Sequence, residues 1–136
     1  MARGSTVCPA LRYRDAKAAI ALLKEAFGFT GVVVHENEDG TIAHAELAHG
    51  GGTVMLGTLR EGDDSEYDRA LNALGPAQVY VVVDDPDAHH DRAVQYGVKI
   101  VMPLTDQDYG SREYAARDPE GNIWAFGTYA PATPTA

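Results

Sequence analysis

The chain has 136 residues, with 20 Asp and Glu against 11 Lys and Arg and a formal net charge of -9. That balance argues against a nucleic-acid backbone as partner, which demands basic patches, and no apolar run is long enough to span a bilayer. The single cysteine, Cys8, excludes an intrachain disulfide and fits a reducing compartment, and the opening Met-Ala-Arg-Gly-Ser-Thr has no apolar leader core, so a cytoplasmic protein is expected.

In chain order, residues 9–13 read as a short strand. Asp15 stands where it caps a helix over 16–27, in which Ala19, Ile20, Leu23, Ala26 and Phe27 recur at helical spacing and Gly28 provides the stop. A β-branched run over 30–35 and the Asn37-Glu38-Asp39-Gly40 turn lead into strands at 42–47 and 53–57, joined through Gly50-Gly51-Gly52. Residues 59–78 form an acidic connection, where Ser65-Glu66-Tyr67-Asp68 opens a short helix ending at Leu74. A strand at 79–83 follows. Pro86 marks the first turn of a helix running to about Tyr96 and closing at Gly97. Strands at 99–104, 112–117 and 123–126 complete the order. The last two are joined by the turn Asp118-Pro119-Glu120-Gly121-Asn122, and 130–136 read as a frayed tail.

A shift of 70 positions lays one half over the other. Gly40-Thr41 falls on Gly110-Ser111, Gly51 on Gly121, and Leu56-Gly57-Thr58 on Phe126-Gly127-Thr128. Only the helix stop departs, since Gly28 matches Gly97. Each half reads as strand, helix and three strands. The expectation is α+β: one domain over 1–136, built of two tandem βαβββ modules at about 7–58 and 79–129. Together they would form a curved, eight-stranded mixed sheet with helices on its convex face and a ligand cavity on the concave one.

The paired modules, opened by Leu11-Arg12-Tyr13-Arg14-Asp15 and closed by Asp118-Pro119-Glu120-Gly121-Asn122, resemble the vicinal oxygen chelate superfamily. That group contains glyoxalase I, extradiol dioxygenases and bleomycin-resistance proteins. Asp108-Tyr109-Gly110-Ser111-Arg112-Glu113 is similar to the small glyoxalase/bleomycin-resistance and PhnB-like members. The resemblance implies a homodimer. It also implies up to four His or Glu metal ligands, whose positions map here to Cys8, Met55, Gln78 and Ala125. Those side chains are not the imidazoles and carboxylates that an oxygen-activating or Lewis-acid metal needs, so no metal and no cofactor is expected.

With Met55 and Ala125 turned inward, alternation sends Val54, Leu56, Trp124 and Phe126 to the helices and Cys8, Ala10 and Arg12 to the cavity. On the third strand of each module, Ala43, Ala45 and Leu47 read as core, leaving Ile42, His44 and Glu46 inward, opposite Arg112, Tyr114 and Ala116. The candidate ligand-binding set is Arg12, His44, Glu46, Met55, Tyr109, Arg112 and Tyr114, with His44 and Glu46 as an acid–base pair if the protein is an enzyme. His35 is a weaker candidate beside them. His89 and His90 read as a solvated helix face, and His49 as an exposed turn residue. Two functions are weighed. One is a metal-independent binder that sequesters an antibiotic or metabolite with flat, cationic parts; the other is a lyase, isomerase or dioxygenase of the same superfamily.

Overall fold

The computed structural model describes residues 5–60 and 65–132. The elements run β1 (Ala10–Tyr13), α1 (Ala16–Glu25), β2 (Thr30–Glu36), β3 (Ile42–His49), β4 (Gly52–Thr58), α2 (Glu66–Asn72), β5 (Gln78–Val82), α3 (Pro86–Tyr96), β6 (Lys99–Asp106), β7 (Arg112–Arg117) and β8 (Ile123–Gly127). The strands form two four-stranded mixed sheets, ordered β1-β4-β3-β2 and β5-β8-β7-β6. The first belongs to a compact unit ending at Ala77 and the second to one beginning at Gln78; they are called modules one and two below. In each, the first strand runs parallel to the fourth and the remaining pairs are antiparallel. The α+β class and the twofold βαβββ order are as the sequence predicts.

The same local devices build both modules. Asp15 and Asp85 cap the long helices, their carboxylates accepting from the backbone N–H of Ala18 and Ala88 at 3.1 Å. Gly97 ends α3 at φ +100°, a conformation that costs other residues a Cβ clash. The helices differ in how much they bury. α1 puts Ala16, Ala19, Ile20, Leu22 and Leu23 against its sheet, over Tyr13, Ile42, Leu47 and Leu56. Each large apolar side chain buried this way contributes roughly 1.5–3 kcal/mol. α3 buries only Pro86 and Ala93, and the sheet beneath it compensates with Tyr114, Trp124 and Phe126, all at 0% exposure.

One register difference separates the modules. Leu56 and Phe126 are 70 apart, yet their partners on the third strand, Ala45 and Tyr114, are only 69 apart. The additional residue of module one is Ala43. β2 pairs His35 with His44 and Glu36 with Ile42, skipping Ala43, whereas β6 pairs Thr105 with Glu113 and Asp106 with Arg112 without a gap. A β-bulge of this kind reverses which face each residue takes on its two sides. Ile42 is therefore core, 2% exposed, and Ala43 is exposed, the reverse of the strict alternation. In module two, Tyr114 and Ala116 lie on the helix-packed face, and Glu113 takes the place of His44.

The closing turn of module two is built around a buried carboxylate. Asp118, 4% exposed, accepts through Oδ1 from the backbone N–H of Glu120 and Asn122, both at 3.0 Å, and through Oδ2 from Trp124 Nε1 at 3.1 Å. The motif thus fixes the indole as well as the turn.

Candidate functional site

Module one carries a cleft of about 1120 Å³ on the face of its sheet away from α1, slightly larger than the roughly 300–1,000 Å³ of ordinary small-molecule sites. Ala10 and Arg12 of β1, His44 of β3, and Met55 and Gly57 of β4 contribute to its floor. The parallel register sets Ala10 beside Met55 and Arg12 beside Gly57. The β2–β3 turn adds Asn37, Asp39 and Thr41, and α2 adds Tyr67, Asp68, Leu71 and Asn72. Those four positions fall at i, i+1, i+4 and i+5, one face of a helix. Ser65 caps α2 by accepting from Asp68 N–H at 3.0 Å, and Asn72 Nδ2 donates to the Arg60 carbonyl at 3.1 Å. Arg14 and Arg60 also line it.

Of the predicted ligand-binding residues, Arg12, His44 and Met55 line this cleft. His44 Nε2 is 2.8 Å from Glu46 Oε2, with both side chains partly exposed, so the expected pair is in hydrogen-bond contact. Arg12 makes no side-chain hydrogen bond or ion pair among the described residues. Asp39 is engaged by Thr41, whose N–H and hydroxyl donate to it and hold its carboxyl below the usual range.

The candidates in module two are placed differently. Arg112 binds Asp87 of α3 through Nε at 2.6 Å and Asp106 through Nη1 at 3.1 Å, which keeps Asp87 ionised below the usual carboxylate range. Its guanidinium is thus held by Asp87 of α3 and Asp106 of β6 on the helix side, which corrects the inward direction expected for it. Tyr114 is likewise corrected. It is fully buried, stacked on Phe126 at 5.2 Å and hydrogen-bonded to His89 Nδ1, and burial pushes its phenol up. His89 is therefore half-buried and bonded rather than solvated. His49 also departs from expectation: it is part-buried against the Phe29 ring at 5.1 Å, and desolvation lowers its pKa. Tyr109 donates to both oxygens of Glu113 at 2.9 Å, which raises its own pKa.

Sequence reasoning missed Glu113, Tyr80 and the contribution of α2. Glu113 was hidden by the bulge. The short helix is legible in the sequence, but nothing in the spacing of Tyr67, Asp68, Leu71 and Asn72 assigns its face to a cleft.

The positions where family metalloenzymes carry ligands do not fit a metal here. Cys8 donates to the Ser5 carbonyl at 3.5 Å, Gln78 is exposed, and Met55 and Ala125 offer a thioether and no donor at all. His35 is in register with His44, yet no group of three or more His, Cys, Asp or Glu gathers as a ligand set among the described residues.

Residues 6–126 match the Glyoxalase/Bleomycin resistance protein/Dioxygenase superfamily. Among curated proteins, the "Uncharacterized protein Mb0911c" of Mycobacterium bovis is 32% identical over 121 residues, covering 88% of this chain and 80% of that one. Among solved structures, TioX from Micromonospora sp. ML1 is 36% identical, with a TM-score of 0.75 over 91% of this chain and 98% of that one. A superfamily member from Sphaerobacter thermophilus, 19% identical, shares the fold at a TM-score of 0.69 over 93% and 97% of the two chains. With the paired βαβββ modules and the match over nearly its whole length, the chain belongs to the glyoxalase/bleomycin resistance protein/dioxygenase superfamily.

Proposed function

We propose that this protein is a metal-independent small-molecule binder of the bleomycin-resistance type, which sequesters an antibiotic or metabolite. The observation that carries the reading is the composition of the module-one cleft. It has a small molecule's volume, an apolar thioether at Met55 and, at Arg12, a guanidinium without a partner among the described residues, while the metal-ligand positions hold side chains of the wrong chemistry. On this reading the protein acts in the cytoplasm as a homodimer, which light scattering on the purified chain tests. Binding to the folded state raises the melting temperature. A thermal-shift screen with aromatic antibiotics and metabolites of both charges is expected to yield a hit whose shift is lost in Arg12→Ala and Met55→Ala. A hit that both variants bind unchanged removes the cleft from the account.

The His44–Glu46 contact favours a second reading, an acid–base enzyme of the lyase or isomerase kind. A carboxylate on imidazole fixes its orientation and supports proton transfer near neutral pH. It requires that a bound ligand be recovered chemically altered and that His44→Gln stop the conversion without stopping binding. Recovery of intact ligand upholds the binder.

A further inference from the structure

We propose that the module-one cleft recognises an oxyanion, a carboxylate or phosphate group attached to an apolar body, with Arg12 as its anchor. This rests on the binder reading above and specifies the ligand class of the same site.

Arg12 is half-buried at the cleft floor, and its register neighbour Gly57 puts no side chain beside it. An arginine withdrawn from water is ordinarily paired, and this one has no partner among the described residues. Two carboxylates of module one are already engaged. Glu46 is engaged by His44 at 2.8 Å, and Asp39 takes two hydrogen bonds from Thr41 at 2.9 and 2.6 Å.

Among the described residues that line the cleft, three arginines stand against two aspartates, in a chain of net charge -9. At physiological salt, charges farther than about 8 Å are largely screened, so the lining rather than the total governs a bound group. The guanidinium fork matches the paired oxygens of carboxylate and phosphate, and Met55 supplies apolar contact for the rest of the molecule. An organic cation, which the total charge alone suggests, meets an unpaired arginine here.

The test uses the full-length protein, isotope-labelled, with four probes sharing one aromatic body: naphthoate, naphthyl phosphate, naphthamide and a naphthyl trimethylammonium. Saturable amide shifts at Arg12, Met55 and Gly57 are expected with the carboxylate, the phosphate or both, and the anion that responds identifies the source. The amide is expected to bind about tenfold more weakly or worse, since a charge-assisted bond is lost. Arg12→Gln should bring the anion down to the affinity of the amide, and Arg12→Lys should restore part of it. An unchanged melting temperature in both variants keeps folding out of the comparison. Equal binding of the amide or the ammonium in the cleft overturns the anion assignment and leaves the binder reading standing. So does anion binding that Arg12→Gln does not weaken. No saturable response to either anion overturns the assignment too, while the antibiotic and metabolite screen separately decides whether the cleft binds at all.

Discussion

The two modules use one backbone plan for opposite chemistry. Beside Gly57, module one has Arg12, and beside Gly127 module two has Val82. Ala10 lies next to Met55, where module two sets Tyr80 next to Ala125. His44 is partly exposed on its cleft, whereas its counterpart Glu113 is 8% exposed, with Tyr109 donating to both carboxylate oxygens. The equivalent glycines mark the difference. A Cβ on Gly57 would meet the Ala43 carbonyl oxygen at 3.3 Å, but one on Gly127 would lie 2.4 Å from Glu113 Cγ and 2.8 Å from the Tyr80 hydroxyl. Side chains occupy the open face of module two at the place where module one keeps space. A duplicated fold can thus assign ligand contact to one copy and packing to the other.

This contrast can be broken by mutation. The largest effect is expected at Tyr114, whose counterpart across the bulge is only Ala45. Tyr114→Ala removes a fully buried ring stacked on Phe126 and its hydrogen bond with His89, at a cost of about 3–5 kcal/mol in chemical denaturation. A loss below about 1 kcal/mol would mean that the ring is not core. Next come the paired glycines. Gly127→Ala should cost roughly 1–3 kcal/mol through forced movement of Glu113 and Tyr80, and Gly57→Ala less, since its nearest contact is tight rather than impossible. Equal costs would erase the asymmetry.

The smallest effect concerns pH. His49 ends β3 where Asp118 follows β7, and burial against Phe29 lowers the imidazole from its ordinary 6.5. A depressed folded pKa means that the unfolded chain binds the proton first. The stability tied to neutral His49 is therefore present above pH 6.5 and declines as pH falls below it. The melting temperature should drop on acidification through that range, and His49→Phe should flatten part of the drop. An identical slope in the variant would remove His49 from the acid response.

Most of the fold was legible in the sequence because it rests on local rules. Asp15 and Asp85 as caps, Gly97 as a stop and alternation in β4 and β8 all act within a few residues. The site was legible only in part. Arg12 and Met55 come from strands whose faces alternation assigns correctly, and His44 from the part of β3 beyond the bulge, where alternation holds. Tyr114 and Arg112 were misplaced because a single inserted residue, Ala43, shifts the third strand of one module without any Gly or Pro to announce it. A bulge is a property of pairing, so it becomes visible only when both strands are seen. The partner of Arg112 on α3, Asp87, is likewise a tertiary choice that spacing cannot reveal.

On the proposed reading, ligand contact belongs to module one. Its most direct test is a chemical-shift titration of the full-length protein with a ligand taken from the thermal-shift screen. The account predicts saturable changes clustered at Arg12, His44, Met55 and Gly57, with Tyr80, Glu113 and Gly127 nearly still. Changes centred on Tyr80, Tyr109 and Glu113, with Arg12 and Met55 silent, would contradict it.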